Sequence, residues 1–187
     1  MALIFVTHNP HKFEEVSKFA KERGIEVLHR NMEYTETQAD SLEEIARLSV
    51  IDVCDEIGQP CFLEDAGLFV SALRGFPGPY SNYVFRTLGN RGLLKLLEGE
   101  KNRLAEFRSA VGYCEPGAEP RIFTGKVVGS IAAGERGTWG FGFDPVFLPQ
   151  EGDGRTFAEI STVEKNRLSH RARSVDSFLN WLKEMKG

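Results

Sequence analysis

The opening segment constrains the fold more than any other stretch. Ala2 to Val6 is a short apolar run rich in β-formers, and Asn9 and Pro10 close it. Phe13, Val16, Phe19 and Ala20 then recur at helical spacing up to Gly24. The pattern predicts a buried strand, then a helix with Asn9 as its cap and Pro10 at its first position. A strand-to-helix junction leaves backbone N–H groups pointing outward, and the helix dipole favours an anion there. Thr7 to Lys12 is therefore a candidate phosphate grip. Lys12 works against the dipole of its own helix, which favours a ligand over a purely structural role.

The same periodicities carry the fold class further. Ile25 to Leu28 reads as a strand, and a polar loop runs from Asn31 to Asp40. Ser41 with Glu44 makes a capping-box pattern ahead of a helix to about Ile57, ended by Gly58, Gln59 and Pro60. Cys61 to Leu63 and Leu68 to Leu73 read as strand pieces flanking Glu64, Asp65, Ala66 and Gly67, with the carboxylates at an end or a bend. Gly75 to Pro79 is a stiff irregular loop, and Ser81 to Leu88 and Arg91 to Glu98 are helical. Leu104 to Tyr113 and Arg121 to Ala132 alternate, as expected of antiparallel strands with one wet face. Ser174 to Met185 is an amphipathic helix. No repeat or long linker divides the chain, so residues 1–187 are expected to form one domain, mixed α/β, with an antiparallel insertion giving two lobes around a cleft.

Charge and composition exclude several classes of partner. The 187 residues carry a net charge of −4, a field that repels long nucleic acid. Any phosphate ligand must rely on a few local cations and a divalent metal. Cys54, Cys61 and Cys114 show no metal-ligand spacing and read as reduced, mostly buried thiols of a cytoplasmic protein. No stretch approaches membrane-span length, so no membrane partner is expected.

The chemistry-bearing residues fall into acidic, basic and aromatic sets. Asp65, with Glu64 beside it, interrupts an apolar run where a charge is costly without a purpose or a partner. Neighbours on a regular strand face opposite ways, so one of the two is expected to pack structurally. The acidic run Glu33, Glu36, Asp40, Glu43 and Glu44 can simply complement a helix dipole, but Glu36 stands ahead of the cap and is free to enter a cleft. Mg²⁺ takes one or two carboxylates and completes its shell with water and phosphate, which suits this set. Downstream, Gly140, Phe141, Gly142, Phe143, Asp144 and Pro145 offer an uncrowded aromatic face for a base, although a Gly-rich hairpin with a buried Phe is the ordinary reading. Lys165, Ser169, His170 and Arg171 then form a basic cluster.

Together these residues resemble the inosine triphosphatase family, the Ham1-like purine nucleoside triphosphate pyrophosphatases. The motifs are Thr7-x-Asn9-x-x-Lys12; Glu64 to Leu68 followed by Gly75 to Ser81; Gly140 to Pro145; and Glu164, Lys165, Asn166 with Ser169, His170, Arg171. The resemblance implies a mixed central sheet with flanking helices, two lobes around a long cleft, and a homodimer. It implies Mg²⁺-dependent cleavage of ITP, dITP and XTP between the α and β phosphates. Thr7, Asn9 and Lys12 would hold the phosphates, and Glu36 and Asp65 the metal. Asp65 would also orient or deprotonate water. Phe141 would stack on the purine, and Ala66, Gly142, Phe143, Asp144, Lys165, His170 and Arg171 would line the substrate pocket. Arg171 donors would suit a 6-oxo purine and oppose the amino group of adenine.

The chain departs from the family pattern in three places: His8 stands for the usual Gly, Ala66 for Ser or Thr, and Leu48 for a phosphate-facing Lys. The Ala66 and Leu48 departures keep open a nucleotide-binding regulatory protein without turnover. A related pyrophosphatase for other modified nucleotides is a further alternative.

Overall fold

The computed structural model describes residues 3–34 and 38–186. In chain order the strands are β1 (Leu3–Val6), β2 (Val27–Arg30), β3 (Cys61–Val70), β4 (Pro77–Gly78), β5 (Leu104–Cys114), β6 (Arg121–Ile131) and β7 (Phe147–Pro149). The helices are α1 (Pro10–Lys21), α2 (Leu42–Ile57), α3 (Ser81–Thr87), α4 (Gly89–Leu96), α5 (Thr162–Asn166) and α6 (His170–Lys186). One seven-stranded sheet runs β2-β1-β3-β5-β6-β7, with β4 attached to β3. Parallel and antiparallel pairs coexist in it, so the sheet is mixed as expected.

The chain forms two compact units. The first takes Met1–Asp65, Ser109–Gly125 and Arg171–Gly187, and the second takes Ala66–Arg108 and Lys126–His170. The division passes through β3, β5 and β6, so these strands serve both units.

In the first unit β1 pairs in parallel with β2 and with β3. Asn9 caps α1 by accepting the N–H groups of His11 and Lys12 at 3.0 and 3.3 Å. Ser41 caps α2 through the N–H of Glu44 at 3.2 Å, and Gly58 closes that helix in a left-handed conformation. Phe5 stacks on Phe62 at 4.7 Å, and Val16, Phe19, Val111, Tyr113, Phe178 and Leu179 complete a dry core under α1 and α6. Gly112 faces the other way, against α2. A Cβ there would lie 2.6 Å from the carbonyl oxygen of Ala46.

In the second unit Leu68 and Phe69 pair antiparallel with Gly78 and Pro77. Ser81 extends this ladder, accepting from the Leu68 N–H at 2.8 Å and donating to the Gly78 carbonyl at 2.7 Å. Its core gathers Leu68, Val84, Leu93, Leu97, Phe107, Phe147 and Phe157.

Several expectations from sequence are corrected here. β3 is continuous through Glu64 to Gly67 instead of breaking there, because Glu64 is neutralised where it lies (below) and the strand need not bend to expel it. From Ser109 to Cys114 β5 is buried throughout, with no wet face, since α6 covers one side and α2 the other. The loop Gly75–Pro79 contains β4. β2 begins at Val27 and not Ile25, and α6 begins at His170 and not Ser174. The cysteines are unpaired and buried, as expected, and burial pushes the Cys61 thiol up to about 11.

Gly112→Ala tests the close approach of β5 to α2. The added methyl must displace backbone, so urea unfolding is expected to show a loss of about 1–3 kcal/mol.

Candidate functional site

In the first unit the candidate residues surround one buried carboxylate. Glu64 is 2% exposed. Lys12 approaches it twice, with Nζ 3.0 Å from Oε2 and donating to the Glu64 carbonyl oxygen at 2.8 Å. Ser109 on β5 donates to Glu64 Oε1 at 2.6 Å. Arg171, in the first turn of α6, places Nε 3.1 Å from Oε2 and pairs through Nη1 with Glu15 of α1. Ser174 stands 2.8 Å from the Ser109 hydroxyl and donates to the Arg171 carbonyl at 3.0 Å. Lys12 and Arg171 thus face Glu64 and Glu15, the carboxylates and Arg171 all deeply buried. Burial works against the guanidinium charge of Arg171, but Glu64 and Glu15 outweigh it and raise its pKa.

Around this centre the grip is shaped by backbone contacts. Thr7 receives a contact from His29 Nε2 on its carbonyl at 2.8 Å, and its hydroxyl accepts the N–H of Asn9 at 3.1 Å. His29 is in turn stacked on Phe13 at 4.3 Å. Lys12 donates one hydrogen bond to the Glu64 carbonyl and is ion-paired with its carboxylate. Asp65 follows Glu64 on the strand and is half-buried. The pleat sends it to the opposite face from Phe62 and Glu64. Glu36 lies outside the described residues.

In the second unit the Gly140–Pro145 loop is built on Asp144. This carboxylate, 2% exposed, accepts the Phe141 N–H at 2.9 Å and the Lys165 ammonium at 2.6 Å. Gly140 has φ +73°, and a Cβ there would collide with the Asp144 carboxylate. Phe141 stays half-exposed, with Lys165 Nζ 5.0 Å from its ring centroid. Gly142 beside it is also half-buried, with φ +61°. Phe143 instead enters the core, edge-on to Phe85 at 5.5 Å. His170 is buried and stacks on Phe107 at 4.6 Å. Ala66 is half-buried on β3.

Lys165 owes its position to a short capped helix. Ser161 accepts the Glu164 N–H at 3.2 Å, and Glu164 accepts the Ser161 N–H at 2.9 Å. Glu164, part of the C-terminal motif, is therefore a cap. Arg155 adds an ion pair to it at 3.0 Å.

Sequence reasoning missed Glu15, Ser109 and Ser174. The signals were present, since Glu15 shares a helical face with Lys12 and Phe19, and Ser109 falls in the buried register of Phe107, Val111 and Tyr113. Among the described residues, no group of three or more His, Cys, Asp or Glu side chains could hold a metal ion. Also among the described residues, no helix is long and apolar enough to cross a membrane.

A family model described as the Ham1 family matches residues 3–181. The chain belongs to the Ham1 family. Among the relatives of this Ham1 chain is the dITP/XTP pyrophosphatase of Thermococcus kodakarensis, 53% identical over 98% of both proteins. The dITP/XTP pyrophosphatase of Methanopyrus kandleri is 51% identical, covering 98% of this chain and 97% of that protein. The Ham1 protein of Staphylococcus aureus has the same fold, with a TM-score of 0.83 and 26% identity over 99% of this chain and 100% of that one.

The Glu164 cap gives the Ham1 chain a pH signature. Hydrogen bonds from the Ser161 backbone, then from its hydroxyl, then from Arg155 lower the Glu164 pKa from 4.5 to about 2. Because the folded value is depressed, its contribution to α5 is complete above the unfolded value and is lost as pH falls from about 4.5 through about 2. Carboxyl-detected NMR is expected to place the Glu164 midpoint near 2; a midpoint near 4.5 would contradict the cap.

Proposed function

We propose that this chain hydrolyses deaminated purine nucleoside triphosphates, ITP, dITP and XTP, to the monophosphate and pyrophosphate, with Mg²⁺, as a cytoplasmic house-cleaning enzyme. The names of its relatives at 53% and 51% identity support the substrate class. The observation that carries the reading is the division between adjacent carboxylates: Glu64 is spent on Lys12, Arg171 and Ser109, while Asp65 follows it, half-buried, on the other face of β3.

Each residue then has a chemical task. Thr7 and Asn9 shape the phosphate grip at the start of α1, where backbone N–H groups and the dipole favour an anion. A donor of the Lys12 ammonium goes to a phosphate oxygen. When bound, Mg²⁺ neutralises triphosphate charge, and Asp65 together with Glu36 would hold it. The Asp65 carboxylate orients the attacking water and accepts its proton as the water oxygen bonds to the α-phosphorus. The bond to the bridging oxygen breaks on the far side, and pyrophosphate leaves with that electron pair. Phe141 stacks on the purine, with Ala66 and Gly142 among the lining residues. Asp144 fixes Lys165 beneath the ring, and His170 and Arg171 are assigned to substrate binding. The whole of residues 1–187 acts as one catalytic domain, in a homodimer; exposed Tyr80, Tyr83 and Leu88 on and around α3 support association.

Ala66 and Leu48 favour a second reading, binding without turnover, because each removes a polar contact to substrate. Incubation with ITP and Mg²⁺ separates the two: pyrophosphate and the monophosphate are expected, and bound, uncut ITP would support the regulatory reading. Asp65→Asn is expected to lower turnover by about 10²–10⁴-fold, measured as pyrophosphate release. Parental turnover in that variant would remove the proposed mechanism.

A further inference from the structure

The loop that carries Phe141 is also held by a residue on α4, a helix with no other part in the proposed site. Asn90 lies in the first turn of α4 and is 8% exposed. Its Nδ2 donates to the Gly142 carbonyl at 3.3 Å and to the Glu135 carboxylate at 3.2 Å. Turning the amide over would set its oxygen against both acceptors, so these neighbours fix its orientation. In that orientation Oδ1 is buried with no hydrogen-bond partner among the described residues.

Packing does not account for this choice of side chain. Asn90 shares a helical face with Leu93 and Leu97, both fully buried in the core of the second unit. An apolar side chain would continue that stripe, whereas a half-satisfied buried amide is costly. What the amide provides instead is a grip on one particular peptide. Gly142 has φ +61°, and glycine peptides rotate more readily than others when nothing holds them. Asp144 fixes the N–H of Phe141, and Asn90 fixes the carbonyl that follows the ring.

We propose that Asn90 is a positioning residue for base binding: by clamping the Gly142 carbonyl it keeps the Phe141 ring presented to the purine. This inference rests on the reading of Phe141 as the base platform. Loss of the clamp leaves the reacting phosphate and Asp65 untouched, so the effect falls on KM and not on kcat.

The test uses the full chain with ITP and Mg²⁺, comparing Asn90→Leu, Asn90→Ala and Phe141→Ala with the parent for kcat, KM and Tm. Both Asn90 variants are expected to raise KM by about three- to tenfold, the scale of one lost hydrogen bond. Their kcat is expected to stay within about twofold of the parent, consistent with an intact catalytic group. Asn90→Leu is expected to keep or raise Tm, an outcome that a merely structural asparagine does not give. Parental KM in both Asn90 variants, with KM raised in Phe141→Ala, overturns the clamp alone. Parental KM in Phe141→Ala as well overturns the base platform and the clamp with it.

Discussion

A single buried negative charge organises the first unit. Glu64 on β3 draws Lys12 from α1, Arg171 from α6 and Ser109 from β5 to one point, and Arg171 recruits Glu15. Each of these groups would be costly alone in a dry core. Removing one partner of such a set leaves an uncompensated charge, typically a loss of about 3–5 kcal/mol. The set therefore works as a registration device, fixing how α1 and α6 lie on their side of the sheet. Apolar packing by Phe5, Phe62 and Phe178 supplies the non-directional part of the same contact.

That arrangement explains why two adjacent carboxylates can differ so much in role. A strand sends neighbours to opposite faces, so Glu64 enters the layer under α1 and α6 and Asp65 does not. Glu64 is consumed by structure, and Asp65 is half-buried on the other face of the strand. The second unit repeats the logic on a smaller scale. There Asp144 is spent on Lys165 and on the Phe141 N–H, and the Phe141 ring beside it stays half-exposed.

Local signals were legible in the sequence wherever one residue type has one physical use. Asn9 before Pro10, Ser41 before Glu44 and Gly58 after Ile57 mark helix ends that the structure places as read. The choice between Glu64 and Asp65 was only half legible, because alternation says that one carboxylate packs and not which one. The continuity of β3 was hidden, since a strand can cross a charge only when distant residues neutralise it. Lys12 and Arg171 lie far from Glu64 in the chain, and no local pattern joins them. The burial of β5 on both faces was hidden for the same reason, as it depends on where α2 and α6 come to rest. Asn90 went unread because an asparagine at a helix start looks like an ordinary surface cap.

The division of labour at positions 64 and 65 is best tested by comparing the stability of Glu64→Gln and Asp65→Asn in urea at neutral pH. The account predicts that Glu64→Gln loses about 3–5 kcal/mol, as expected when buried cations lose their counter-charge. Asp65→Asn is predicted to lose clearly less than Glu64→Gln. Equal losses in the two variants, or a larger loss in Asp65→Asn, would contradict the account.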